Sequence, residues 1–278
     1  MRRMTGILMC SLLVTASLVA QTPMVTSDGP SVPSVAWQHL RLAFGKLGWL
    51  RTPGAPLPGL AAIGTLTYYA PDRSVAGSAT VVIKCRGSRQ YRIDVTDATG
   101  TATTIVNDTG GIHTGPDGKS NKLPASSAVS MRSPWFPFLL DALNLDDPGT
   151  VVSGSGPLLA SGLSQQIRAG TAAGQDVMSA LRARASNLTI SFDANEMPAR
   201  IDFVRVAADN HYVTVPFSLL LSDYRSVGNI AVAFRQEEQL DEKTMSVLTL
   251  ESVVIGPTAN VGDADFKVST ATVTGGAQ

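Results

Sequence analysis

The chain has 278 residues, 22 basic and 22 acidic side chains, and no formal net charge. That balance excludes a polybasic scaffold for nucleic acid or a membrane surface, and 44% hydrophobic against 16% charged residues excludes a mainly disordered chain. Two cysteines, Cys10 and Cys85, are too few for a disulfide framework or a multi-cysteine zinc site.

The N-terminus carries the clearest signal. Arg2 and Arg3 precede Thr5 to Ala20, a run without charge that is rich in Leu, Val, Ile and Ala. This is the layout of a secretory signal peptide over residues 1–20, with cleavage expected after Ala20. The run is shorter than the roughly 20 residues that span a bilayer. Cys10 lies inside it, not just after it, which argues against a lipoprotein anchor. Cleavage would leave Cys85 as a lone thiol, without an intramolecular bridge. Cys85 shares a strand face with Val81 and Ile83 and reads as a buried thiol. No later segment reaches about 18 uninterrupted apolar residues, so no transmembrane anchor is expected after cleavage.

Residues 21–59 read as a leader, a short helix and a linker. Pro23 and Pro30 mark the leader. Between Ser34 and Leu50, residues Val35, Leu40, Leu42, Phe44, Leu47 and Leu50 form a helical stripe, with Trp37 at its edge. Pro53, Pro56 and Pro58 then end the helix.

From Ala62 the period changes from helical to two. Ile63–Tyr69, Ala79–Cys85, Tyr91–Thr96 and Thr101–Asn107 read as strands, with a turn at Asp97–Gly100. Ser133 to Leu145 reads as a short, very apolar helix holding Trp135, Phe138 and Leu139, capped by Ser133 and opened by Pro134. Residues 146–164 are Gly-, Ser- and Pro-rich and predict loop with one edge strand at most. Residues 171–185 fit either a helical turn or a loop. Strands return at Leu188–Phe192, Arg200–Val206, Val213–Leu221, Ile230–Phe234 and Thr244–Ile255, with Gln236 to Lys243 read as a charged, solvated turn. Residues 60–268 are expected to form one domain of about nine strands with one or two helices. Residues 269–278 read as a disordered tail.

Candidate chemistry is sparse. Asp108-Thr109-Gly110 after Ile105-Val106 has the form of an aspartic-protease loop, but one copy supplies one carboxylate and a hairpin turn explains it as well. Gly118-Lys119-Ser120 lacks the glycine five places earlier that a phosphate loop needs, since His113 stands there. His39, His113 and His211 are scattered without metal-site spacing. Ser153-Gly154-Ser155-Gly156 is not a nucleophile elbow. Asp146-Asp147 and Glu237-Glu238 are adjacent acids that a strand would turn to opposite faces. Asn107-Asp108-Thr109 and Asn187-Leu188-Thr189 match a glycosylation acceptor, which has no consequence if the source is bacterial. No catalytic residue, metal site or cofactor is assigned.

The remaining candidate is apolar. The inward face Val213, Val215, Phe217 and Leu219, with Trp135, Phe138 and Leu139, would line a groove if helix and sheet do not close on each other. The competing reading is a core filled by the protein's own helix.

Short motifs carry a family resemblance over roughly Leu60 to Lys267. They are the Pro-flanked apolar segment Ser133-Pro134-Trp135-Phe136-Pro137-Phe138-Leu139-Leu140, the strand–turn–strand Phe192–Ile201 with Pro198-Ala199-Arg200, the strand start Ser222-Asp223-Tyr224-Arg225 through Gly228 and Ile230, and the closing Asp263-Ala264-Asp265-Phe266. Together these resemble the LolA-like periplasmic proteins, the outer-membrane lipoprotein carriers and related lipid-binding half-barrels. The resemblance implies a mainly β (α+β) fold, a curved antiparallel half-barrel wrapped on one or two helices. It also implies a non-enzymatic exported protein, in the periplasm or at the outer-membrane periphery, that binds a lipid or lipoprotein acyl chain. The alternative is an envelope protein-interaction module with no ligand. No nucleic-acid partner is expected, and the sequence specifies no oligomeric state.

Overall fold

The computed structural model describes residues 35–49, 58–86, 90–107, 110–123, 149–155, 165–171, 175, 180, 183, 184, 186–206 and 213–268. The expected signal peptide and leader, the Pro-rich linker over Pro53 and Pro56, Asp108, the apolar helix over 133–145, His211 and the tail after residue 268 lie outside them.

The described residues form thirteen strands, the longer ones built on period-two patterning: β1 (Gly59–Tyr69), β2 (Val75–Arg86), β3 (Gln90–Asp97), β4 (Gly100–Asn107), β5 (Gly110–Thr114), β6 (Ser120–Leu123), β7 (Thr150–Ser155), β8 (Gln165–Thr171), β9 (Leu188–Phe192), β10 (Pro198–Val206), β11 (Thr214–Val227), β12 (Ile230–Leu240) and β13 (Lys243–Ile255). They form one open antiparallel sheet in the order β6-β5-β4-β3-β2-β1-β13-β12-β11-β10-β9-β8-β7. Every neighbouring pair is consecutive in sequence except β1 and β13. The sheet is two meanders joined along a single seam.

At that seam Leu60 lies opposite Ile255, Ala62 opposite Val253 and Leu66 opposite Leu248. The register shifts between Ile63 and Gly64. A Cβ added at Gly64 would stand 2.4 Å from the Thr249 carbonyl oxygen and 3.0 Å from the Leu250 Cα. The bulge therefore needs a residue without a side chain.

One face of the sheet holds the core. Val81, Ile83, Cys85 and Tyr91 from the first meander join Ile190, Ile201, Leu219 and Leu248 from the second in one buried cluster. The other face is polar. Arg92 pairs with Asp94, which also accepts from Thr103, and Arg200 pairs with Asp202, which accepts from Ser218. This inside–outside alternation is what antiparallel strands with one solvated face produce.

Helix α1 (Val35–Lys46) belongs to the same core. It buries Ala36, Leu40, Ala43 and Phe44, and Leu47 and Trp49 follow them inside. These fall at helical spacing on one face. The expected stripe is corrected here: Val35 and Leu42 are exposed. The two alanines, too small to stand out in a hydrophobicity pattern, let the helix sit close to the sheet. A Cβ placed at Gly154 of β7 would be 3.5 Å from the Ala36 Cβ. At the far end the Ala231 amide donates to the Leu47 carbonyl, 2.9 Å. Between these points the His39 ring lies 5.1 Å from that of Phe192, and Lys46 pairs with Glu196. The helix thus crosses the sheet end where β9 meets β10 and β11 meets β12.

Other expectations also change. Among the described residues the strands number thirteen, not nine: β7 falls in the stretch expected to hold one edge strand at most, and β5, β6 and β8 are short or carry few apolar residues. Gln236 to Lys243 is not a turn: β12 runs to Leu240, and only Asp241 and Glu242, both at positive φ, make the hairpin. Cys85 is buried, as expected.

The closing Asp263-Ala264-Asp265-Phe266 is a 3₁₀ turn with Phe266 buried. Lys84 donates to Asp265 at 2.6 Å, Arg86 pairs with Asp263, and the Asn107 amide donates to the Phe266 carbonyl at 3.0 Å. Burial pushes the Asp265 carboxyl up, but the Lys84 ammonium, the Gly262 amide and the nearby Arg92 outweigh it and hold it below the usual carboxylate range.

Gly64→Ala should destabilise the protein by roughly 1–3 kcal/mol through overpacking at the seam, read as a lower denaturant midpoint. The Asp265 clasp contributes stability above the ordinary carboxylate pKa and loses it as pH falls through the lowered folded value. Asp265→Asn should therefore melt earlier than wild type at neutral pH, with the gap narrowing into the acid range. A constant gap across that range would contradict the assignment.

Candidate functional site

The candidate site is the inward face of β10, β11 and β12 beyond the reach of α1. Register places Val215 opposite Arg205, Phe217 opposite Phe203, and Leu219 opposite Ile201. Val215, Phe217 and Leu219 thus share one row. Leu219 is fully buried, Phe217 is half-buried against the core, and Val213, just before β11, is 46% exposed. The row passes from sealed core to an exposed end. Trp135, Phe138 and Leu139 lie outside the described residues, so the sheet side of the expected groove is the part the structure brings together.

The sequence reading missed an ion pair on this face. Arg205 Nη1 donates to Glu238 Oε1 at 3.0 Å and Nη2 to Oε2 at 2.5 Å, a bidentate pair. The side chains are 24% and 12% exposed. To reach Glu238 from β10 the guanidinium crosses β11. It lies 4.4 Å from the Phe217 ring centroid and 5.3 Å from that of Phe203. A weakly hydrated, planar cation stacked on aromatic rings suits an apolar wall better than an ammonium would.

Parity was the available signal. Ile201, Phe203 and Arg205 share the inward parity of β10. In β12, Ile230, Val232, Phe234, Gln236 and Glu238 do the same. Reading 236–243 as a turn hid the last two. Gln236 is in fact fully buried and donates through Nε2 to the Ala233 carbonyl, 3.1 Å.

The charges of the pair act on two tyrosines. Tyr68, near the end of β1, has its hydroxyl pKa raised by burial and by the charges of Asp97 and Glu238. Tyr91 on β3 is almost wholly buried, 1% exposed, opposite Cys85 of β2. Its hydroxyl pKa is pushed up by that burial and by Cys85, while the Arg205 charge pulls against the rise.

Among the described residues no group of three or more His, Cys, Asp or Glu is arranged to hold a metal ion. No described helix is long and apolar enough to cross a membrane. His113 on β5 faces Thr104 of β4, with Nδ1 2.9 Å from the hydroxyl, and belongs to the sheet, not to a catalytic group.

Solved structures give this architecture a class. The chain is similar to a putative outer membrane lipoprotein-sorting protein domain from Vibrio parahaemolyticus, with a TM-score of 0.53 at 8% identity over 83% of this chain and 95% of that one. It is similar to a DUF1329 family protein from Desulfovibrio piger, with a TM-score of 0.54 at 11% identity over 86% and 98%. A LolA superfamily protein from Nitrosomonas europaea aligns over 82% and 96% at 13% identity, with a TM-score of 0.49. At these identities the likeness is one of fold, and the fold is the LolA-like half-barrel: a curved, unclosed antiparallel sheet on a helix. No protein-family model matches the chain, and no curated protein matches it in sequence.

Arg205→Met would leave the Glu238 carboxylate inside without a partner and should destabilise by roughly 1–3 kcal/mol. The double variant Arg205→Met/Glu238→Gln removes both charges and should recover most of that loss. Denaturant midpoints of the three proteins test the pairing. Equal midpoints for wild type and the single variant would mean that the pair is too well solvated to matter.

Proposed function

We propose that this protein is a non-enzymatic, exported protein of the bacterial envelope that binds a lipid or acyl chain on its concave face. The observation that carries the reading is the inward row ending in half-buried Phe217 and exposed Val213, on a sheet whose other face is polar. An apolar row that does not finish in packed core leaves surface for an apolar ligand. Each methylene of an acyl chain withdrawn from water contributes about 0.8 kcal/mol, so a long chain binds without a strongly charged site. The fold shared with a lipoprotein-sorting domain supports the same class of ligand, and the expected signal peptide supports a periplasmic or outer-membrane-peripheral location.

A second reading has its own observation. Leu40, Phe44 and Leu47 already fill one end of the concave face. An envelope interaction module whose core is self-filled would use helices in this way and carry no ligand.

Native mass spectrometry of protein purified without detergent from a membrane-containing lysate separates the two. The carrier reading expects a co-purifying lipid, lost or strongly reduced in Phe217→Asp. Val213→Asp, at an exposed position outside the strand, should also weaken binding without loss of the circular dichroism spectrum. A clean unliganded mass, with no uptake of added phospholipid or lipopeptide, overturns the carrier reading in favour of the interaction module.

A further inference from the structure

The concave face continues onto the first meander, and there its chemistry changes at one position. The registers of β2 to β6 place Ile83, Ile93, Thr104, His113 and Asn121 in one row across five strands. Cross-strand partners share a face, so His113 lies on the core side with buried Ile83. The rows on either side are apolar, with Val106 and Leu123 in one and Val95 and Ala102 in the other. Burial fades towards β6: Ile93, Val95, Thr104 and His113 are half-buried, and Asn121 is exposed. An imidazole thus sits within the half-covered apolar part of this wing.

Imidazole is the side chain whose charge ordinarily changes between about pH 5 and 8. Its immediate partner is the Thr104 hydroxyl, 2.9 Å from Nδ1. A hydroxyl both donates and accepts, so Thr104 can hold His113 in either protonation state, but it supplies no countercharge. Among the described residues the neighbouring strands supply none on this face either. Asp94 lies on the outer face, paired with Arg92, and Lys122 lies opposite outward Ile112. Asp117 and Lys119 pair with each other in the turn between β5 and β6. Asp97 stands at the end of β3 opposite Gly100, four residues before Thr104 and so roughly 13 Å along the strand. His39, on α1, packs against Phe192 at the other end of the fold. An imidazolium at position 113 therefore depends on water for its stabilisation, whereas the neutral ring does not.

We propose that His113 is a protonation switch on the concave face: the neutral imidazole admits an apolar ligand over this wing, and the imidazolium expels it. The switch rests on the apolar-ligand reading above and concerns the regulation of that site. A ligand lying against Ile93 and Val95 takes water from His113. The neutral ring keeps its Thr104 bond and loses little, while the charged ring loses hydration with nothing to replace it. Acid thus weakens binding, and by reciprocity binding from the protonated state releases a proton to the buffer.

The test uses monodecyl glycerol, a neutral ether with no group that titrates in this range, and isothermal titration calorimetry on the full chain. Wild type should bind it about tenfold more weakly at about pH 5.5 than at about pH 7.5, the change expected when a site that must be neutral titrates in the imidazole range. His113→Gln keeps an amide for Thr104 and carries no charge. It should bind with similar affinity at both pH values, and melting curves establish that it folds. Repeating the wild-type titration at about pH 6.5 in two buffers of different ionisation enthalpy should show proton release on binding, a readout that needs no variant. Equal wild-type affinity at the two pH values, a pH dependence that survives in folded His113→Gln, or binding without proton release overturns the switch and leaves the groove standing. Failure of wild type to bind at either pH overturns the groove as well.

Discussion

The pairing of β1 with β13 is the constraint on which the rest of this molecule depends. Every other strand contact is a hairpin or a link between consecutive strands, and forms locally. Without the seam the chain would be two meanders, one ending in β6 and one beginning with β7, with no shared concave face. The seam joins Leu60 to Ile255 and Tyr68 to Ser246, positions near opposite ends of the described chain. Its closure entropy is therefore met late, after the local hairpins exist. That explains why a glycine is retained at the bulge. Gly64 lets the β13 backbone approach where any side chain would hold it off, and so sets the inward register for both meanders at once.

Once that register is set, the inside of the half-barrel is unequal along its length. At the end crossed by α1, helical and strand side chains interdigitate, and Leu40, Leu47, Phe192 and Leu219 are sealed. Towards the ends of β10 and β12 the inward positions turn to Arg205 and Glu238, and Val213 stands exposed. Strand parity forces these residues inward, since the same alternation that buries Phe203 also aims Arg205 at the interior. Curvature then lets β10 and β12 side chains meet over β11. The polar end of the face is thus a consequence of where the alternation continues after the apolar residues stop.

This also explains what was legible in the sequence. The long strands with strict alternation, such as Ala79–Cys85 and Arg200–Val206, announce themselves because one face is core and the other is water. The turns at Asp97 and Asp193 were legible for a different reason. Their carboxylates accept from backbone amides two residues on, at 2.7 and 2.8 Å, the local chemistry that makes Asp a turn residue. β5, β6 and β8 were not legible, because Gly111, His113, Asn121 and Gln166 carry no apolar alternation. Partners across the sheet hold them. The buried face of α1 was misread because Ala36 and Ala43 contribute contact through smallness. Of the site, the row Val215, Phe217 and Leu219 could be read from β11 alone. Glu238 could not, because a charged run beside a hairpin looks like a solvated tip, and only its partner on β10 shows otherwise.

The Arg205–Glu238 pair bears on function for an energetic reason. A desolvated ion pair contributes little net stability, and well-packed apolar residues of similar volume are often as good or better. If this face existed only to close a core, two more aliphatic side chains would continue the row of Ile201, Phe203, Leu219 and Leu221 without any desolvation cost. The fold instead places a guanidinium there, stacks it on Phe217 and balances its charge with Glu238. A stability argument accounts for the Glu238 half of this arrangement, because an unpaired Arg205 would be costly. It does not account for the guanidinium itself, which stops the apolar row of β10 short of closing into core.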